Sequence, residues 1–221
     1  MMQFNRFAIY FTPRPGPFAT KGASWLGWDI ASGTQMVAAG GELVSRPHKY
    51  GFHATIKPPC RLAGTHTLTD VAERLNLFCA QMAPVQADAL TVNRLGSFLA
   101  LTPVGDTDSI GQLAANVVRE MDLFRAEPTE TEQQKRKRSG MSQQMLRHIE
   151  DWGYPHVMDL FRFHMTVTGP VPKADQPGVQ DRVWEHFGRS LPEPFVIDSL
   201  TLCGEAQDDR FHEISRHDLR G

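Results

Sequence analysis

Cysteine is scarce in this chain: Cys60, Cys79 and Cys203 are all there is in 221 residues, and none forms a C-x-x-C pair. Three scattered thiols exclude a disulfide scaffold and a thiolate zinc site, and they suit a reducing compartment. Long apolar runs are missing too. The opening "MMQFNRFAIYFTPRPGPF" is broken by Asn5 and Arg6 and stopped by Pro13, Pro15 and Pro17. That is too short for the apolar part of a secretion signal, and no later run is long enough to span a bilayer. The expectation is a cytoplasmic protein with no membrane partner. A surplus of one charge is lacking as well: 23 Lys and Arg stand against 25 Asp and Glu, for a net charge of −2. Proteins that coat long nucleic acid are normally basic, so any nucleotide ligand is expected to be small or gripped locally. No segment is low in complexity, and no linker divides the chain.

What is present is an ordinary globular composition, 41% hydrophobic and 22% charged, enough for one large domain or two closely packed lobes. The stretch from Phe4 to Phe11 is aromatic and β-branched and ends in a Pro/Gly turn, which predicts a strand. A short helix is expected over Phe18 to Leu26. "GFHATIK" predicts a second strand, closed by Pro58 and Pro59. "THTLTDVAERLNLFCAQM" opens on a Thr and Asp cap signal and repeats apolar residues at helical spacing through Leu68, Val71, Leu75, Phe78 and Cys79. "ALTVNRLGSFLALTPV" predicts two strands around a turn near Arg94 to Ser97, and "SIGQLAANVVREMDLF" a second amphipathic helix. The order then roughly repeats. A polar helical stretch breaks at Ser139-Gly140, and "FRFHMTVTG" follows as a strand, "PGVQDRVWEHFGRSL" as a helix. Two closing strands lie in "FVIDSLTLCGEA" and "RFHEISRHDL". Strands and helices interleaved with hairpins predict an α+β fold with antiparallel sheets.

One tripeptide pattern occurs twice in matching settings. Phe52-His53-x-Thr55-Ile56 recurs as Phe163-His164-x-Thr166-Val167, and only these two of nine histidines precede a Ser or Thr by two residues. Period-2 alternation puts Phe163, Met165 and Val167 on one face and His164 and Thr166 on the other, as it does for Phe52, Ala54 and Ile56 against His53 and Thr55. A single H-x-T carries no information, and a lone strand histidine is ordinarily structural. Two copies on polar strand faces supply what phosphodiester chemistry needs. One imidazole acts as base and the other as acid, both near working pH, and the threonine hydroxyls donate to the phosphate oxygens. His53, His164, Thr55 and Thr166 are therefore the candidate catalytic set.

"RPHKYGFHATIKPP" together with "GYPHVMDLFRFHMTVTGP" resembles the 2H (two-histidine) phosphoesterase superfamily, and within it a bacterial branch linked with phosphonate-utilisation genes. The resemblance runs over nearly the whole chain. It implies a bilobal, pseudo-symmetric fold across residues 1–221, with one H-x-T motif per lobe, two antiparallel sheets facing a central cleft and helices outside. The activity it implies is hydrolysis of a cyclic phosphodiester of a nucleotide or small phosphorylated sugar, with an RNA end as a further candidate. The alternative is a non-catalytic module that binds nucleotides or RNA ends in the same cleft.

Other residues join as candidates. By alternation Lys57 shares a face with His53, and Arg162 with His164, so both are candidate substrate-binding cations or solvated rim charges. Tyr50, just before the first motif, is a candidate donor or stacking ring through the resemblance. The run Lys135 to Arg138 is a solvated helix face or a tether for a charged ligand. His48, His156, His212 and His217 form no H-x-x-x-H or H-E-x-x-H, so no metal and no cofactor is expected. Trp25 and Trp28 are expected in the core.

Overall fold

A computed structural model describes residues 3–136 and 139–221. Five strands and two helices make the first part of the chain: β1 (Phe4–Phe11), α1 (Pro17–Leu26), β2 (Trp28–Asp29), β3 (Thr34–Gln35), β4 (Ala54–Cys60), α2 (Leu68–Cys79) and β5 (Val85–Ala87). The hairpin β6 (Ala89–Leu95) and β7 (Phe98–Val104) comes next, then α3 (Asp108–Glu120), α4 (Glu130–Arg136) and α5 (Gln143–Trp152). The chain closes with β8 (Met165–Thr166), α6 (Gln176–Phe187), β9 (Phe195–Ile197), β10 (Ser199–Ala206) and β11 (Phe211–Asp218). The fold is α+β with antiparallel sheets, as the element order predicts. Of the run Lys135 to Arg138, Lys137 and Arg138 lie outside the described residues.

Seven strands form one sheet in the order β11-β10-β1-β4-β8-β7-β6, and every pairing is antiparallel. The two motif strands are its inner pair, and they meet at a single register position, Ala54 opposite Met165. The two halves anticipated from sequence are thus joined edge to edge beneath the motifs. The closing strands β10 and β11 return to the half that holds β1 and β4.

The core lies on the face turned away from the motif side chains. Phe7, Ile9 and Phe11 of β1, Ile56 of β4, Leu99 and Leu101 of β7 and Met165 of β8 pack there against α1, α2, α3 and α6. Helix α2 illustrates how sequence sets this arrangement. Thr67 accepts a hydrogen bond from the Asp70 amide while the Asp70 carboxylate accepts from the Thr67 amide, a reciprocal cap that fixes the start. Val71, Leu75 and Cys79, one turn apart, are then fully buried. The opposite face is covered over part of its area by a smaller cluster: Ala8, Tyr10, Cys203 and Phe211 from the sheet, with Trp28, Ile30 and Tyr50 above them. Next to that cover the sheet face stays open. No helix among the described residues is long and apolar enough to cross a membrane.

Two sequence expectations about the motif strands need correction. Pro58 and Pro59 do not end β4; they lie inside it. On β1 the partners step from Phe7 to Ile9, while on β4 they step from Cys60 to Lys57, so the two prolines face one residue in a bulge. β8 pairs with β4 only at Ala54, so the far edge of the prolines carries no ladder that needs their missing N–H. The second correction is length. "FRFHMTVTG" is extended, but only Met165–Thr166 forms regular ladder. The rest is held by other donors: Val167 and Thr168 amides donate to the Leu99 carbonyl, the Gly169 amide to Leu43, and the Trp25 indole N–H to the Val167 carbonyl at 2.7 Å.

Candidate active site

The open part of the sheet face is a cleft of about 570 Å³ whose walls include His53, Thr55, His164 and Thr166. All four candidate catalytic residues therefore share one cavity, and Tyr50 lines it too. Two larger grooves elsewhere hold no histidine or threonine of either motif.

Each imidazole is held in the same way. His53 Nδ1 lies 2.9 Å from the Gly51 carbonyl, and His164 Nδ1 lies 2.8 Å from the Arg162 carbonyl. A carbonyl only accepts, so Nδ1 carries the proton in both rings, and Nε2 is the nitrogen left to face the cleft. His53 Nε2 sits 3.2 Å from Thr55 Oγ1, which donates to it in the neutral ring. The local chain makes this possible. Gly51 has φ +70, a conformation that side chains rarely adopt, and a Cβ there would stand 2.6 Å from Ile30 Cβ. Phe52 then buries its ring against helix α1 at Gly22, where any side chain would overlap the ring. Those two glycines turn the chain so that Phe52 enters the core and His53 enters the cleft.

Burial pushes the His53 imidazole down to about 4, against the pull of the Gly51 carbonyl, and the nearby His164 pushes it the same way. His53 is thus neutral at pH 7. Burial and His164 also lower His156. Thr168, two residues beyond Thr166, accepts from the Leu99 amide at 2.9 Å and is buried, so its hydroxyl serves the fold.

Lys57 and Arg162 are not brought to the cleft. The register pairs Tyr10 with Thr55 but Ile9 with Lys57, one step on β1 against two on β4. This second irregularity turns Lys57 to the core side, where it is 1% exposed and pairs with Asp122 at 3.1 Å. Although burial acts to raise the Asp122 carboxyl, Arg125 and Lys57 hold it below its usual range. Arg162 donates to the Asp159 and Phe161 carbonyls and borders a separate groove with Arg94 and Arg119. The strand alternation that predicts its direction fails because the chain before Met165 has left the ladder.

The cleft also holds residues not singled out from the sequence: Arg6 and Tyr10 on β1 and Phe98, which lie outside both motif stretches, and Arg46 and Tyr154, which lie inside them. Arg6 pairs with the buried Glu205 of β10. The alternation Arg6, Ala8, Tyr10 against Phe7, Ile9, Phe11 marks two faces, but sequence does not tell which strand lies beside β4. Among the described residues no group of three or more His, Cys, Asp or Glu is placed to hold a metal ion. His212 packs edge-on against Trp28, and His217 bonds Ser215 at 2.9 Å.

Residues 55–212 match the protein family described as "Protein of unknown function (DUF1045)". The chain belongs to that family. The match begins at Thr55 and spans the second motif, so both threonines and His164 of this DUF1045 chain fall inside it. Two curated relatives are each described as ribose 1,5-bisphosphate phosphokinase PhnN. The one from Janthinobacterium sp. (strain Marseille) is 36% identical over 91% of this chain, and the one from Laribacter hongkongensis (strain HLHK9) is 29% identical over 91%. The chain spans about half the length of each, 48% in both cases. Among solved structures, TT0787 of Thermus thermophilus is similar with a TM-score of 0.49 at 13% identity, covering 98% of both chains. E. coli LigT complexed with 3′-AMP is similar with a TM-score of 0.46 at 12% identity, covering 99% of this chain and 100% of that one.

Proposed function

We propose that this cleft is the active site of a metal-independent phosphoesterase that opens a cyclic phosphodiester of a nucleotide or small phosphorylated sugar. The observation that carries the reading is the matched pair: two imidazoles in one cavity, each with Nδ1 tied to the carbonyl two residues back, which leaves Nε2 for proton transfer. The Thr55 hydroxyl that donates to His53 Nε2 turns its hydrogen to the phosphate when substrate and water enter. His53, neutral at pH 7, takes a proton from water through Nε2 as the water oxygen bonds to phosphorus. The ring P–O bond breaks, and His164, as the acid, gives a proton to the leaving oxygen. The product is a phosphomonoester. Thr55 and Thr166 donate hydroxyl hydrogens to the non-bridging oxygens where charge grows, and Tyr50 contacts the substrate beside them. The two side chains complete both proton transfers, so no step calls for a metal.

The sequence resemblance to a phosphonate-linked branch, and the ribose bisphosphate in the names of the two relatives, favour a phosphorylated ribose over an RNA end. The test is a screen of purified protein, with EDTA present, against 2′,3′-cyclic nucleotides and cyclic ribose phosphates. Release of phosphomonoester in EDTA is the expected result. Saturable binding of these compounds with no turnover would make the cleft a binding module, and turnover only after added zinc or manganese would overturn the metal-free step.

A further inference from the structure

The two histidines are held alike in the ring plane but differ in what lies against their faces. His164 has Phe98 for an aromatic neighbour, at a centroid distance of 6.0 Å and a 49° tilt. His53 has Tyr10 at 3.9 Å and 31°, close enough for the rings to touch over much of a face. Tyr10 is itself 0% exposed and sits directly opposite Thr55 in the β1–β4 register, so strand pairing fixes its position under the motif. Phe211 supports it from behind at 5.5 Å, and Tyr50 stacks on Phe211 at 5.3 Å and 24°.

We propose that Tyr10 is a positioning residue of this site: its ring is the wall that fixes the plane of the His53 imidazole and keeps water from that face. The inference rests on the reading of His53 as the base. The Gly51 carbonyl restrains His53 within the ring plane, and the Tyr10 ring restrains rotation out of it. Together they leave Nε2 aimed along one direction into the cleft. The wall also accounts for the depth of burial that depresses His53, and His164 has no such partner. Ring and hydroxyl are separable, because Tyr10 Oη is the one buried side-chain N or O atom among the described residues that has no hydrogen-bond partner. The hydroxyl therefore contributes nothing to holding the wall in place.

The groups that face His53 are Tyr10 and Arg6 from β1, Tyr50 from the turn before Gly51, Arg46 ahead of it, and His164 and Tyr154 from across the cleft. Arg6 is neutralised by Glu205 of β10. Tyr50 lies 6.0 Å from His53 and rests on Phe211, which Tyr10 also touches, so Tyr10→Phe, which keeps that ring packing, is the control that isolates the wall. The experiment is NMR titration of His53 in the full chain, without substrate. In the wild type the His53 ring protons are expected upfield of those of His164, from the ring current of Tyr10. Tyr10→Leu is expected to move the His53 titration upward by about one pH unit or more, as water reaches the ring, and to move the acid limb of kcat/KM with it. Tyr10→Phe, which keeps the ring, is expected to keep the wild-type titration. A wild-type spectrum without the upfield shift overturns the proposal even if Tyr10→Leu does not fold. So does a Tyr10→Leu titration equal to wild type, or a Tyr10→Phe titration displaced as far as that of Tyr10→Leu. The NMR readouts need no turnover, so a protein that passes them yet hydrolyses no cyclic phosphate would sink the proposed function and leave the Tyr10 wall standing.

Discussion

A cation beside a motif histidine in sequence need not stand beside it in space, and Lys57 and Arg162 are the examples here. Lys57 is fully buried on the far face of the sheet against Asp122. Lys57→Met should therefore lower stability by about 1–3 kcal/mol in chemical denaturation, less than for most broken buried pairs because Arg125 still neutralises Asp122. Its KM should stay near wild type, as should that of Arg162→Ala; a KM increase of about tenfold in either would return that cation to the cleft. The residues that do reach the cleft were legible to different degrees. His53, Thr55, His164 and Thr166 were readable because the tripeptide recurs in matching apolar settings, although only the threonines lie in regular strand. Lys57 was misread because alternation assumes an even ladder, and the β1–β4 register slips between Ile9 and Tyr10. Tyr10 and Arg6 were invisible because their place depends on which strands become neighbours, which no local pattern encodes.

The elements around the motifs depart from regular strand geometry where the site needs it. Pro58 and Pro59 sit in a bulge, β8 keeps only two ladder residues, and a 3-10 turn at His48–Tyr50 delivers the chain to Gly51. Helix starts and apolar stripes were legible from Thr67, Asp70 and the Leu68 to Cys79 spacing, since caps and periodicity are local. The joining of β4 to β8 was not, because it is a long-range pairing through one residue pair. Gly51 makes this scale testable. Gly51→Ala must place a Cβ at positive φ and against Ile30, so a loss of about 2 kcal/mol or more is expected. Activity should fall with it, because the Gly51 carbonyl orients His53. A Gly51→Ala protein of wild-type stability and rate would show that this turn does not set the site.

At the scale of the whole molecule the titrations add. His53, His48, His156 and His217 are all depressed by burial. The unfolded chain takes up their protons near pH ~6.5, before the folded one does. Their contribution is complete above that pH and is lost as pH falls toward about 4, where His53 also charges in the fold. Below that, Glu132, held down to about 2 by Arg61, and Asp122 lose their paired forms as well. The melting temperature should thus fall steadily from pH 6.5 to 4 and more steeply below; a flat value from pH 7 to 5 would contradict the depression of the His53 imidazole. The seven-stranded sheet also brings one motif from each half of the chain into a single cleft, and that convergence is the central claim. It is tested most directly by following a cyclic ribose phosphate or 2′,3′-cyclic nucleotide by phosphorus NMR with wild type, His53→Ala and His164→Ala, all shown to be folded. The wild type should convert the cyclic resonance to a phosphomonoester, and each variant should be slower by about 10²–10⁴-fold. Either variant turning over at the wild-type rate would contradict paired-histidine catalysis in this cleft.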